Sequence, residues 1–128
     1  MNLFDNTLRD GGNVVGHGFS LELTTSIIEG LLAAGIRDIE LGNCKGLGAY
    51  DQLGADKAPS DEEYFQLLQP YLSRGRIGMF LLSKCAKAEK IQKAAEAGLS
   101  FLRVGANAGD GESSVAAVKM VKAAGLTC

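Results

Sequence analysis

Tryptophan is absent from this 128-residue chain, histidine occurs once, proline twice and cysteine three times. Each scarcity excludes something. Cys44, Cys85 and Cys128 are odd in number and lack C-x-x-C spacing. That argues against a disulfide framework and a structural zinc centre, and for a reduced, cytoplasmic setting. No apolar run approaches the roughly 20 residues of a membrane span, and no basic-then-apolar leader precedes the first strand, so no membrane partner is expected. A net charge of −2 and a pI near 5.4 supply no basic stripe for nucleic acid. What is abundant is glycine, at seventeen residues, within a chain that is 46% hydrophobic and 22% charged. This composition suits one compact α/β domain over residues 1–128, with many short turns.

Read in order, the chain alternates strand and helix. A strand over 2–8 is followed by the loop Gly11–Gly18, too glycine-rich for helix. Ser20 caps a helix over 21–34 whose apolar stripe is Leu23, Ile27, Leu31 and Ala34, widened by Ile28 and Leu32. A strand over 36–41 leads into a long loop, 42–59, of the kind that is usually functional or mobile. Ser60-Asp61-Glu62-Glu63 is a capping-box pattern opening a helix to about Leu72. The apolar run 77–82 reads as a strand buried on both faces. A helix over 86–97, a strand over 100–104, a helix over 112–124 capped by Asp110 and a strand beginning at 126–128 complete the pattern. The lysines at 84, 87, 90 and 93 drift around their helix and read as a solvated face.

The phrases Ala33-Ala34-Gly35-Ile36, Ala97-Gly98-Leu99 and Ala124-Gly125-Leu126 each end a helix and enter a strand. Such βα repetition means parallel strands, in either a doubly wound sheet or a (β/α)8 TIM barrel. The first βα loop has no G-x-G-x-x-G fingerprint, which disfavours a dinucleotide-binding fold. Polar residues close each strand (Arg9 and Asp10, Asn43, Ser83 and Lys84, Asn107 and Asp110), which is where a barrel builds its site. The barrel is therefore preferred. A barrel takes about 250 residues, so four βα units and the start of a fifth strand amount to the N-terminal half of one. The chain is expected either to continue in a longer protein or to complete itself with a second copy.

Asp5-Asn6-Thr7-Leu8-Arg9-Asp10-Gly11-Gly12 concentrates the candidate chemistry at one strand tip. Arginine offers an anion contact, aspartate a hard-metal ligand, and glycine close ligand approach. An ordinary surface ion pair explains Arg9 and Asp10 equally well on spacing alone. Glu40, a charge inside an apolar strand, must have a partner, either an arginine or a site in the barrel. Asn43 and Asn107 either bond substrate oxygens or simply hold turns. Arg103 either binds a substrate carboxylate or pairs with an acid such as Glu40. Cys44 and Cys85 have no basic partners nearby in the pattern and read as passive.

The motif Asp5-x-Thr7-Leu8-Arg9-Asp10-Gly11 resembles the signature of the metal-dependent aldolase and lyase barrels. That superfamily includes hydroxymethylglutaryl-CoA lyase and 4-hydroxy-2-oxovalerate aldolase. Resemblance to the aldolase branch continues through Ile39-Glu40-Leu41-Gly42-Asn43, Gly46-Leu47-Gly48, Asp61-Glu62-Glu63-Tyr64, Phe80-Leu81-Leu82, Ala95-Glu96-Ala97-Gly98 and Leu102-Arg103-Val104-Gly105. The resemblance implies cleavage of a 4-hydroxy-2-oxo acid to pyruvate and an aldehyde through an enolate. Asp10 would be a ligand of Mn²⁺ or Mg²⁺, and Arg9 would stabilise the enolate and bind substrate. Arg103, Asn43 and Asn107 would be further substrate contacts. The resemblance also implies a His-x-His metal pair, which a chain with one histidine cannot supply, so the chain alone is expected to be inactive. Asn13 stands where those aldolases have a histidine base, and His17 is the candidate to replace it. An acylating aldehyde dehydrogenase or a homo-oligomer are the partners implied. A Claisen-type acyl transferase and a catalytically inactive binding barrel are the alternatives.

Overall fold

Parallel strands lie side by side in the order in which the chain makes them, β1-β2-β3-β4. The computed structural model describes residues 2–128. The strands are β1 (Phe4–Asp5), β2 (Asp38–Glu40), β3 (Arg76–Leu82) and β4 (Phe101–Gly105). The helices are α1 (Thr7–Asp10), α2 (Leu21–Ala33), α3 (Ala49–Gln52), α4 (Asp61–Leu68), α5 (Ala88–Glu96) and α6 (Gly111–Ala123). Phe4 pairs with Asp38, Glu40 with Gly78, and Phe80 with Arg103. Thr127 adds an isolated parallel bridge to Phe101, where the fifth strand was expected to begin. A doubly wound sheet reverses its order at a switch point, and these four strands contain no reversal.

Side chains alternate across a strand, so the two faces can be told apart. Ile39, Leu41, Ile77, Met79, Leu81 and Leu102 point one way, into a core closed by residues such as Ile28, Leu32, Tyr64, Leu68, Ile91 and Val121. Burying such side chains stabilises the fold by about 1.5–3 kcal/mol each. The other face carries Phe4, Glu40, Gly78, Phe80, Phe101 and Arg103. There the Phe4 and Phe101 rings lie only 5.7 Å apart. In a flat sheet, strands three places apart would be separated by about 14 Å, so this sheet is strongly curled around that face. Gly78 permits the curl, because a Cβ there would come within 2.6 Å of the Phe101 ring.

Several expectations need correction. The first strand ends at Asp5, not Leu8. The Asp5 carboxylate accepts the Thr7 N–H at 3.0 Å and its hydroxyl at 3.2 Å, turning the chain into α1. A 3₁₀ turn at Gly11–Asn13 then occupies the start of the supposed loop. The fully buried side of α2 is Thr24, Ile28 and Leu32, with Ile27 and Leu31 partly buried against the same core, while Leu23 is exposed. Helix α4 stops at Leu68 and passes into a 3₁₀ turn containing Pro70, whose missing N–H cannot continue the ladder. Asp110 does precede α6 but makes no side-chain cap. Strand β3 is covered on the Ile77, Met79 and Leu81 side, whereas Phe80 and Leu82 are only partly buried. Lys90 is not a solvated charge: it lies 2.6 Å from Asp51 and 3.7 Å from Asp61. The capping box itself is present, formed by Ser60 and Glu63.

Asp61 turns away from that box into the protein, where its carboxylate accepts the Gly48 N–H at 2.8 Å. Burial pushes its carboxyl above the usual carboxylate range, against the pull of that bond and of Lys90. A raised native value favours the fold most at low pH, and the contribution is lost as pH rises through the shifted value. Asp61→Asn keeps an oxygen for Gly48 without a buried charge. Thermal unfolding should show the variant more stable than the parent at neutral pH, by about 1 kcal/mol. The gap should close on acidification.

Candidate active site

The turn α1 places consecutive residues on opposite sides of the sheet edge. Leu8 is 1% exposed and belongs to the helix-side core, while Arg9 reaches the concave face. The main-chain N–H groups of Arg9 and Asp10 both bond to the Asn6 carbonyl, at 3.1 and 2.8 Å, fixing the turn.

On the concave face, Glu40 is fully buried and carries two arginines. Arg9 donates its Nε to Glu40 Oε1 at 2.7 Å. Arg103 donates Nε to Oε2 at 2.7 Å and Nη2 to Oε1 at 2.8 Å, a bidentate fork. Both guanidinium carbons stand 4.9 Å from the centre of the Phe80 ring. Each cation–π contact adds about 0.5–1 kcal/mol or more. The hydrogen bonds to Glu40 hold Arg103 above its ordinary pKa. Glu40 thus finds its partners in two arginines on the face enclosed by the curl, and Arg103 pairs with it while its side chain stays 43% exposed.

Asp10 sits at the outer edge of this cluster with its side chain 59% exposed. Its Oδ1 accepts from Arg9 Nη1 at 2.7 Å and lies 3.4 Å from Asn13 Nδ2. Asn13 also donates to the Asp10 carbonyl at 2.9 Å, and Lys45 Nζ lies 3.4 Å from Asn13 Oδ1. Arg9 Nη2 and Arg103 Nη1 have no hydrogen-bond partner among the described residues, so each arginine keeps one nitrogen for an anion. An exposed carboxylate with one oxygen unbonded fits a hard divalent cation. It supplies only one ligand, however, and the described residues contain no group of three or more His, Cys, Asp or Glu that could hold a metal ion.

The remaining candidates separate. Asn43 is buried and its amide is committed to main chain, donating to Ala55 O at 2.7 Å and accepting from Lys45 N at 3.0 Å. These bonds are the ones that the turn-holding reading of Asn43 expects. Asn107 is exposed at the tip of β4, where its carbonyl accepts the Asp110 N–H. His17 is held by main chain: its N–H bonds to Gly12 O and its carbonyl accepts from Cys44 N at 2.7 Å. Its ring makes no hydrogen bond to Arg9, Asp10 or Lys45, and its Nδ1 is enclosed without a partner. Burial pushes the Cys44 and Cys85 thiols up, as suits passive residues. Sequence reading missed Phe80 and Lys45. Phe80 was hidden in a uniformly apolar run, although its position two residues after Gly78 already set its face. A cavity of about 300 Å³, lined by residues including Leu3, Gly35 and Asp38, opens at the other end of the strands, away from this cluster.

A protein of Carboxydothermus hydrogenoformans named 4-hydroxy-2-oxovalerate aldolase is 32% identical over 124 residues, 97% of this chain and 37% of that protein. The chain is similar to the 4-hydroxy-2-oxovalerate aldolases. A protein of that name from Moorella thermoacetica is 29% identical over 126 residues, covering 98% of this chain and 37% of its own length. Another, from Cupriavidus taiwanensis, is 32% identical over 124 residues, covering 97% and 36%. The chain thus spans little more than a third of the aldolases it matches. No family model matches it. Among the described residues, no helix is long and apolar enough to cross a membrane.

Glu40→Gln removes the charge that two arginines share. Urea unfolding should show a loss of about 2–3 kcal/mol, reduced from the full cost of breaking a buried pair because Arg103 reaches solvent.

Proposed function

We propose that this chain is the N-terminal half of a (β/α)8 barrel that cleaves a 4-hydroxy-2-oxo acid to pyruvate and an aldehyde. The unreversed strand order and the curl measured by the Phe4–Phe101 contact support the barrel. The names of the similar aldolases, which match over nearly all of this chain, favour this reaction over a Claisen-type acyl transfer or an inactive binding barrel.

The observation that carries the reading is the fixed guanidinium of Arg9. Glu40, Asp10 and Phe80 hold it at a strand tip with one nitrogen unbonded. In the cleavage, the O–H bond on C4 and the C3–C4 bond break while C4 becomes a carbonyl. The electron pair moves to the C2 oxygen as an enolate, and C3 takes up a proton to give pyruvate. Arg9 presents positive charge where that oxyanion develops. It needs no reorganisation, because its other nitrogens are already bonded. Arg103, the second cation on Phe80, favours the acid's carboxylate in the same enclosure. A bound Mn²⁺ or Mg²⁺, with Asp10 as one ligand, would supply Lewis-acid polarisation of the 2-oxo group. Asn107, at the tip of β4, is a further contact to substrate oxygens. The proton-transfer role considered for His17 has no contact in its support.

The full-length gene product should release pyruvate from 4-hydroxy-2-oxovalerate, with activity lost to a chelator and restored by Mn²⁺ or Mg²⁺. Arg9→Ala should lower kcat by about 100-fold or more, and Asp10→Asn should weaken metal activation. Retention of kcat by Arg9→Ala would overturn the reading.

A further inference from the structure

We propose that Lys45 is a specificity residue that recognises a second carboxylate, at the aldehyde end of the substrate. The preferred substrate class is then a 4-hydroxy-2-oxo dicarboxylate. This rests on the aldolase reading above.

The first observation is how the lysine is presented. Residues 41–49 are all buried except Lys45. The main chain around it is pinned at successive points. Cys44 N bonds to His17 O at 2.7 Å, Lys45 N to Asn43 Oδ1 at 3.0 Å, Gly46 N to Asn43 O at 2.8 Å and Leu47 N to Phe80 O at 2.8 Å. Asn43 is itself anchored on Ala55. Gly46 has φ 96°, and a Cβ there would come within 2.7 Å of Phe80 O. The segment is thus a rigid mount for a single exposed cation, and the cost of ordering that backbone is met before any ligand arrives.

The second observation is where the ammonium goes and what it lacks. Its hydrogen bond is to Asn13, the residue that also holds Asp10. It therefore lies at the edge of the Arg9–Asp10 group, one side chain away from the carboxylate. Arg9 and Arg103 have Glu40 and Asp10 as counter-ions. Lys45 has no carboxylate within ion-pair reach among the described residues, only the neutral oxygen of Asn13. A cation held near a site without a counter-ion favours an anionic group on the ligand. The carboxylate at C1 is accounted for by the arginines, so the group left for Lys45 is at the far end of the substrate.

The test compares two five-carbon substrates, 4-hydroxy-2-oxovalerate with a methyl group at C5 and 4-hydroxy-2-oxoglutarate with a carboxylate there. Cleavage of both yields pyruvate, leaving acetaldehyde from the first and glyoxylate from the second. Steady-state kinetics of the full-length gene product should show kcat/KM about tenfold or more higher for the dicarboxylate, the size of one well-placed ionic contact. The preference should reside mainly in KM and shrink as salt is added. Lys45→Met should bring the ratio of the two kcat/KM values to within about threefold, Lys45→Glu should reverse it, and Lys45→Arg should retain it. Circular dichroism of each variant checks the fold. A wild-type preference for the methyl substrate, or a ratio unmoved by Lys45→Met, overturns the proposal while leaving the aldolase reading standing. Failure to cleave either substrate overturns both.

Discussion

A fully buried carboxylate must find positive charge, and Glu40 finds it twice. That constraint organises the concave face. Arg9 arrives from the turn after β1 and Arg103 from β4, so one acid on β2 links the first and last strands of the sheet. Phe80 on β3 supplies the surface against which both guanidinium groups lie. An apolar residue in place of Glu40 would leave two cations facing each other on one ring. The arrangement is expensive in desolvation, and it fixes the orientation of two planar guanidinium groups.

The curl follows the same geometry. Bringing Phe4 to Phe101 draws the strand ends inward on the side where glycine at 78 leaves room. The helices then occupy the convex side, where Ile39, Met79, Leu81 and Leu102 meet α2, α4, α5 and α6. The inner side combines the Glu40–arginine cluster with aromatic rings, whereas the outer side of β2, β3 and β4 is hydrocarbon. The turns after β1 and β2 lie at one end of the sheet, beside the β4 residue Arg103, which is why residues as distant in sequence as Arg9, Lys45 and Arg103 belong to one neighbourhood.

Much of this was legible in the sequence, for reasons that differ by residue. Helix ends at Gly35, Gly98 and Gly125 were readable because each adopts positive φ, where other residues are strained. Ser20 and the Ser60–Glu63 pair announced helix starts through hydroxyl acceptors. The Arg9–Asp10 pair stood out by its place behind a strand. What could not be read were choices made by tertiary neighbours. Spacing did not reveal that Asn43 would spend its amide on Ala55, that Asp61 would turn to Gly48, or that Lys90 would bridge two acids. Neighbouring columns of α2 are nearly equal in apolar content, and packing against the sheet selected Thr24, Ile28 and Leu32 for full burial, with Ile27 and Leu31 beside them.

The turn at residues 7–10 joins the two faces of the sheet. Leu8 is a core residue and Arg9 a concave-face one, with a single peptide bond between them and both amides of Arg9 and Asp10 closed on the Asn6 carbonyl. The guanidinium cannot swing far without withdrawing hydrocarbon from the interior. Local opening of this edge, visible as exchange of those amides with solvent, therefore loosens the Arg9–Glu40 pair in the same event. Protection of the first strand and integrity of the arginine pair on Glu40 become two readouts of one equilibrium.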